Sequence, residues 1–526
     1  MTISSVPTAA GALAVGLSLP AHWELVRVDR RLALRGPGGA ADLGETDAEV
    51  EAALRGALAG TAVPERAEDV LLDDPDPGTA VARIARFRRL LASLSPHAVR
   101  HLLTDDGELA RAVPMTEPVP DAPADVAPGA VVRLSRAVVL RADQGVTVAE
   151  TALRGLRVLV PDPRAVALLG TLSAPAVWDA PPDPRCGLSP EAVREAVRWL
   201  AAFGLLAVAD ADGRFAEDLG PLGQWSANDL HLHTRSRLGW DDRPYGATFR
   251  LLGTTEPQPA VRARHSGRTV ELRRPAHLRA RPDEPSFSEV LEARQSIRRY
   301  GPRAMSVGQL GEFLFRSSRT RARYGPYPER GMPYEAADRP YPSGGGAHDL
   351  EVYVTAHRVE GLDRRVYHYD AWRHQLVEVC DEKPVIDALV ATAVQSKGDD
   401  APDAVLTVTS RFSRLAWKYE RIAYATTLRN VGVLYHTFYL VATVLGLAPC
   451  GLGGGDAGLV ARATGNDPLV EGSVGDFALG SLPTGRSLAT ERDRTQRGDP
   501  RWTAGQAPEW CQVRREVIGD HPLDLA

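Results

Sequence analysis

Apolar and polar positions alternate along VRVDRRLALRG, Val26 to Gly36, which predicts a β-hairpin near the start of the chain. Thr46-Asp47-Ala48-Glu49 then has the form of a capping box opening the helix EVEAALRGALAG. Helical periodicity returns at Ala80 to Leu94, and Ser95-Pro96 predicts a further helix start. Residues 1–112 therefore read as a small winged-helix-like α/β unit, and the Pro-, Ala- and acid-rich residues 113–129 as a linker. A second unit, residues 130–274, opens on the strand-like VVRLSRAVVL and LRVLVPD. It continues with helices at Pro163–Leu172 and Ser189–Phe203, the strand LLAVAD and a turn at Ala211-Asp212-Gly213, again a winged-helix outline. His231 and His233 have strand-like spacing and are expected to face one side as packing or surface residues, with no metal site. A second linker is expected at 275–285, a third domain at 286–490 and an irregular tail at 491–526. The third domain begins with a helix and a basic turn, Ser286 to Gly301, and continues with the strand LEVYVTAHRV and the hairpin VYHYDAWRHQLVEV. The uncharged run Val431 to Cys450 leads into the glycine-dense Cys450–Asp456. The fold class expected is α+β.

Composition narrows the class. A chain of 526 residues with 44% hydrophobic and 25% charged positions is globular and long enough for about three domains. A net charge of -5 without a basic run gives no reason to expect nucleic acid, and the second unit's candidate recognition helix sets Glu191 and Glu195 beside Arg194 and Arg198. Cys186, Cys380, Cys450 and Cys511 form no C-x-x-C pair, which fits a reducing cytoplasm. No Lys or Arg precedes Arg27, so a signal peptide is not expected. Val431–Cys450 is long enough to span a bilayer, but His436, two threonines and Pro449 favour a helix buried in a large core.

Lysine is almost absent: Lys383, Lys397 and Lys418 are the three in the chain. Lys418 stands between Trp417 and Tyr419, and lysine, unlike arginine, can exchange its proton. Lys418 and Tyr419 are thus candidates for proton transfer. Arg294, Ser296 and Arg298 recur at every second position, so an extended turn would aim two guanidinium forks and a hydroxyl one way, as a phosphate cradle requires. Pro342-Ser343-Gly344-Gly345-Gly346 would let a backbone approach a flat ligand. The run Gly451-Leu452-Gly453-Gly454-Gly455 is read as following a helix and is neither a dinucleotide fingerprint nor a P-loop.

Taken in order, A-R-Q-S-I-R-R-Y, R-P-Y-P-S-G-G, V-Y-H-Y-D, W-K-Y-E-R, G-L-A-P-C-G-L-G-G-G-D and S-V-G-D-F-A-L-G-S resemble the SagB-type azoline dehydrogenases over about Ser286 to Ser481. These form the FMN-dependent branch of the nitroreductase-like fold that oxidises thiazolines and oxazolines in ribosomally made peptides. The detail is most similar to enzymes of thiopeptide or linear azole pathways. The resemblance implies that Arg294, Ser296 and Arg298 hold the FMN phosphate and ribityl chain. It implies that Pro342, Ser343, Gly344 and Gly345 run along the isoalloxazine, reaching the flavin of the other subunit of a homodimer. Gly451, Gly453 and Gly454 would lie at the flavin's opposite side, and Lys418 and Tyr419 would be catalytic. An azoline-containing precursor peptide and a cyclodehydratase are the implied partners. Two stretches depart from the commoner pattern, Gly432–Thr437 and Gly346-Ala347-His348-Asp349, and Arg486 matches the family's last phosphate contact poorly.

The chemistry implied is removal of the acidic proton on the former Cα while hydride leaves the neighbouring ring carbon for the flavin, with O2 as terminal acceptor. A phenol is a weak base at neutral pH, and a neighbouring ammonium favours its ionised form; which of Lys418 and Tyr419 is the base stays open. The alternatives are a generic NAD(P)H-dependent nitro or quinone reductase, a flavin-less peptide-binding scaffold and a DNA-binding regulator.

Overall fold

The structure, a computed structural model, describes residues 13–36, 39–61, 64–275, 284–398 and 400–486. The expected linker at 275–285 falls largely outside the described residues, and the expected tail at 491–526 with Cys511 wholly so. The chain forms two compact units, Met1–Arg243 and Pro244–Ala526.

In the first unit the predicted hairpin is present: Glu24–Val28 pairs antiparallel with Arg31–Gly36, with Asp29 left-handed in the turn. The helix that follows, Ala48–Ala57, is capped one residue later than the sequence suggested. Asp47 accepts from the Val50 N–H at 2.9 Å and so takes the N-cap position. Residues 113–129 are not a linker. The strand Gly107–Pro114 pairs with Leu156–Val160, so a single six-stranded sheet takes strands from both expected units. Val119 and Val126, 2% and 5% exposed, are packed into the core beneath it. His231 and His233 sit on the helix Ala227–Arg235, not on a strand, because Ser226 caps it by accepting from the Asp229 N–H. His231 bonds the Ala137 carbonyl at 2.7 Å as a packing residue, and His233 is exposed and stacks on Trp225 at the surface.

The second unit starts at Pro244, so residues 244–274 belong with the C-terminal part and not with the preceding unit. A seven-stranded antiparallel sheet runs in the spatial order Thr269–Glu271, Gln375–Cys380, Val366–Asp370, Leu350–Ala356, Ala404–Arg411, Glu471–Ser481 and Leu447–Leu452. The two central strands, Leu350–Ala356 and Ala404–Arg411, are buried at every position. Their sequences, LEVYVTA and AVLTVTSR, set polar side chains such as Glu351, Thr407 and Arg411 among the buried positions.

The uncharged run Val431–Cys450 is divided between two elements. The helix Ala423–Val444 ends before Gly446, which is left-handed at φ 64°, and the chain turns directly into the edge strand Leu447–Leu452. No helix among the described residues is long and apolar enough to cross a membrane. The helix's buried stripe is polar at its start (Thr426, Thr427, Asn430) and apolar beyond (Val431, Leu434, Phe438, Ala442). Phe438 lies 5.2 Å from both Phe313 and Phe477, in tilted and edge contacts that each add about 0.5–1.5 kcal/mol to area burial. The apolar part anchors the helix in the core, and the polar part is left to face the site.

Candidate active site

Two clusters of predicted site residues form at different points along this helix. At the C-terminal part, the short helix Phe287–Ala293 is opened by a reciprocal Ser286/Glu289 capping box, and the chain then runs extended. Gln295 and Ile297 point into the protein, while Arg294 and Ser296 are half-buried and Arg298 is exposed, as the alternating spacing predicts. Tyr439, which the sequence reading missed, organises them. Its hydroxyl bonds Ser296 Oγ at 2.7 Å and accepts the Gly451 N–H at 2.7 Å, and the Arg294 guanidinium lies 5.2 Å above its ring. The basic turn and the glycine run are thereby brought to one place. Gly453 faces open space, with nothing within 4 Å of where a Cβ would stand. Cationic forks, a hydroxyl and an open backbone edge fit an anionic, flat-ringed group such as FMN.

The glycine run lies between the strand Leu447–Leu452 and the helix Ala457–Thr464, capped by Asp456, and does not follow a helix as the sequence suggested. The exclusion of a dinucleotide fold stands on topology instead, since this strand pairs antiparallel with Glu471–Ser481. Behind the run is the buried Asp476, whose Oδ1 accepts from Thr407 at 2.5 Å and whose Oδ2 would lie 2.2 Å from a Cβ on Gly455. Burial pushes its carboxyl from 3.8 up to about 6. A raised carboxyl binds its proton more tightly in the native state. The native state therefore loses stability as pH rises from about 4 to about 6, and the cost persists above that. Asp476→Asn is expected to be roughly 1–3 kcal/mol more stable than the wild type near pH 7 and indistinguishable near pH 4, read by urea denaturation. Equal stabilities at both would contradict it.

At the helix's N-terminal part, the loop Pro342–Gly346 meets the Lys418–Tyr419 pair. Gly345 is left-handed at φ 60°, and a Cβ there would stand 2.3 Å from Lys418 Nζ and 2.6 Å from the Tyr419 hydroxyl. A Cβ on Gly344 would meet Thr426 at 2.5 Å. Pro342 is exposed on the same loop. Tyr334, also missed, is 6% exposed and lies between them. It accepts from Lys418 Nζ at 2.5 Å and donates to the Gly345 carbonyl at 2.9 Å.

A buried polar network fixes the loop to the helix. Asn430 donates to Asp349 at 2.7 Å and to Ser343 Oγ at 3.1 Å, and its carbonyl accepts the Gly344 N–H at 3.2 Å. Asp349, 0% exposed, also accepts from Ser410 at 2.7 Å and Thr427 at 2.9 Å. His348 is buried at φ 45°, donates its backbone N–H to Ser343 Oγ, and burial holds its imidazole down at about 3. The departure from the commoner pattern at 346–349 is thus part of the loop's support. From the outer side, Arg414 donates to the carbonyls of Gln258, Glu335 and Ala347, and Arg411 to those of Pro259 and Ala260. These bonds hold the strap 244–262 against the site. There Phe249, left-handed at φ 52°, donates its N–H to the Lys418 carbonyl at 3.2 Å. Among the described residues no cluster of His, Cys, Asp and Glu could hold a metal ion.

Comparison with known proteins agrees with this division. Residues 291–481 match the nitroreductase family, and residues 132–242 match the cyanobactin oxidase ThcOx. A protein of Methanocaldococcus jannaschii described as a "putative nitroreductase" is 30% identical over 171 residues, 32% of this chain and 80% of its own length. A structure with the same description from Anabaena variabilis is 22% identical with a TM-score of 0.35, over 50% of this chain and about half (47%) of that one. The Escherichia coli microcin synthetase McbBCD complex, with truncated pro-MccB17 bound, contains a chain 21% identical with a TM-score of 0.30, over 39% of this chain and 78% of that one. Nitroreductase-fold structures from Exiguobacterium sibiricum and Desulfovibrio desulfuricans, 13% and 16% identical, were solved in complex with FMN. The resemblance drawn from the six sequence motifs is borne out: the chain belongs to the nitroreductase family, and a stretch ahead of that match is similar to the cyanobactin oxidase ThcOx.

Proposed function

We propose that the protein is an FMN-dependent dehydrogenase that oxidises peptide thiazolines or oxazolines to the aromatic azoles during maturation of a ribosomally made peptide. The observation that carries this reading is the Lys418–Tyr419 pair held against Gly345 at the end of a built glycine loop. An oxidation of this kind needs a proton acceptor beside the ring, and the pair offers one amine and one phenol within a few ångström of a backbone that lacks side chains. The cyanobactin-oxidase match in the upstream module supports a peptide as substrate. A cyclodehydratase supplying the azoline and a second copy of the chain are the proposed partners.

Arg294, Ser296 and Arg298 would hold the phosphate and ribityl chain, with Gly451, Gly453 and Gly454 along one side of the ring system and Pro342, Ser343, Gly344 and Gly345 along the other. When bound, FMN supplies the two-electron acceptor for the ring C–H, with dioxygen as the final oxidant. The chain's own task is the proton. The former Cα–H is acidified by the adjacent imine and carbonyl, and Lys418 and Tyr419 stand where it can be removed. The Asn430–Asp349–Ser343 network keeps the loop from yielding, so the pair is held in place before substrate arrives. Gly345→Ala would drive a methyl group into both side chains, and turnover is expected to fall by about a hundredfold or more in steady-state assays.

The test is mass spectrometry of an azoline-containing peptide incubated aerobically with the purified protein. Loss of two hydrogens per ring supports the proposal. A yellow protein that leaves several azoline peptides unchanged but consumes NADPH points to a generic reductase, and a colourless one to a binding scaffold.

A further inference from the structure

The Lys418 ammonium lies among three aromatic rings, with Nζ 4.5 Å from the centroid of Tyr334, 5.0 Å from Tyr419 and 5.9 Å from Phe249. Ring faces attract a cation and do not serve a lone pair. One polar contact gives the box a direction. A hydroxyl has a single proton, and Tyr334 spends its own on the Gly345 carbonyl, 2.9 Å away. Its oxygen can then only accept from Lys418, so the nitrogen must present an N–H toward it at 2.5 Å. Tyr334 cannot turn away, because it is buried in a cluster with Trp417, Ala336, Phe249, Leu251 and Met332. Tyr419 is different. Among the described residues its hydroxyl makes no hydrogen bond to the protein, and it faces Gly345, where only the missing Cβ separates it from the loop.

We propose that Tyr334 is a positioning residue: by donating to the Gly345 carbonyl it locks Lys418 as a hydrogen-bond donor and leaves Tyr419 as the group that takes the substrate's proton. This rests on the azoline-oxidation reading. The former Cα–H bond breaks and its proton goes to the oxygen of Tyr419 in its phenolate form, which becomes the neutral phenol. The electron pair left on carbon becomes part of the ring's new double bond as hydride leaves the neighbouring carbon for the bound flavin. The azoline is oxidised by two electrons and the flavin reduced by two. Lys418 keeps its protons throughout and supplies a fixed positive charge beside the phenol.

Two measurements test it. Lys418→Arg keeps a cation and a donor but cannot act as a base. It is expected to stay within about tenfold of wild-type turnover, while Tyr419→Phe falls with Lys418→Ala. The second measurement does not depend on turnover. With three lysines in the chain, acylation by an amine reagent can be followed residue by residue by mass spectrometry. Lys418 is expected to react much more slowly than the exposed Lys383 in wild type, and several-fold faster in Tyr334→Phe, with Lys383 unchanged. Tyr334→Phe should also lower kcat with little change in KM. Unaltered Lys418 reactivity in Tyr334→Phe overturns the positioning role. Lys418→Arg as inactive as Lys418→Ala, at wild-type flavin absorbance, overturns the assignment of Tyr419 as base. If the wild type oxidises no azoline, the functional reading fails, and the acylation result still decides whether Tyr334 locks Lys418.

Discussion

Lys418→Ala and Tyr419→Phe are each expected to lower azoline oxidation by about two to four orders of magnitude while the purified variants keep wild-type flavin absorbance. The separation of effects follows from the helix Ala423–Val444. Its N-terminal part, through Asn430, supports the loop at the Lys418–Tyr419 pair, and its C-terminal part, through Tyr439, joins Arg294, Ser296 and Gly451. Nine residues separate Asn430 from Tyr439, about 13 Å along a helix. A change at the Lys418–Tyr419 end is therefore expected to leave the proposed anion-binding end untouched. Parallel loss of flavin and turnover would show that the two clusters are not independent.

The second large effect concerns stability. Asp349→Ala removes an acceptor shared by Ser410, Thr427 and Asn430 at a position with no exposure. Three buried donors lose their shared acceptor, and a loss of roughly 3–5 kcal/mol is expected in denaturant unfolding. Asp349→Asn can still accept through its carbonyl and should lose less. Near-wild-type stability of Asp349→Ala would mean that the network relaxes to find other partners. Because Asn430 also holds Ser343 and Gly344, residual Asp349→Ala protein should show impaired turnover even where it folds.

The sequence made visible the features written in local pattern. The spacing of Arg294, Ser296 and Arg298 is carried by an extended turn after a capped helix, and both signals are local. The rarity of lysine singled out Lys418. What stayed hidden depends on the chain's folding back. Tyr439 sits 143 positions from Ser296 and looks like one more aromatic in an apolar stretch, and Tyr334 sits 84 from Lys418 in a mixed polar segment with no local signal. The supposed linker at 113–129 misled because its prolines and acids hid Val119 and Val126, whose burial is set by the sheet formed across it. The uncharged run at 431–450 concealed a helix-to-strand change because no charged residue marks the boundary, where only Gly446 stands. His231 and His233 were placed on a strand by their spacing of two, against the Ser226 cap that starts a helix.

In the proposed reaction an azoline ring, and not a nicotinamide, is the source of the electrons. The most direct measurement is the absorbance of the FMN-loaded protein mixed without oxygen, separately, with an azoline peptide and with NADPH. Bleaching by the azoline peptide in step with azole formation is expected, with little or none by NADPH, and with recovery of the yellow colour when air is admitted. Rapid bleaching by NADPH with no response to azoline peptides would contradict it.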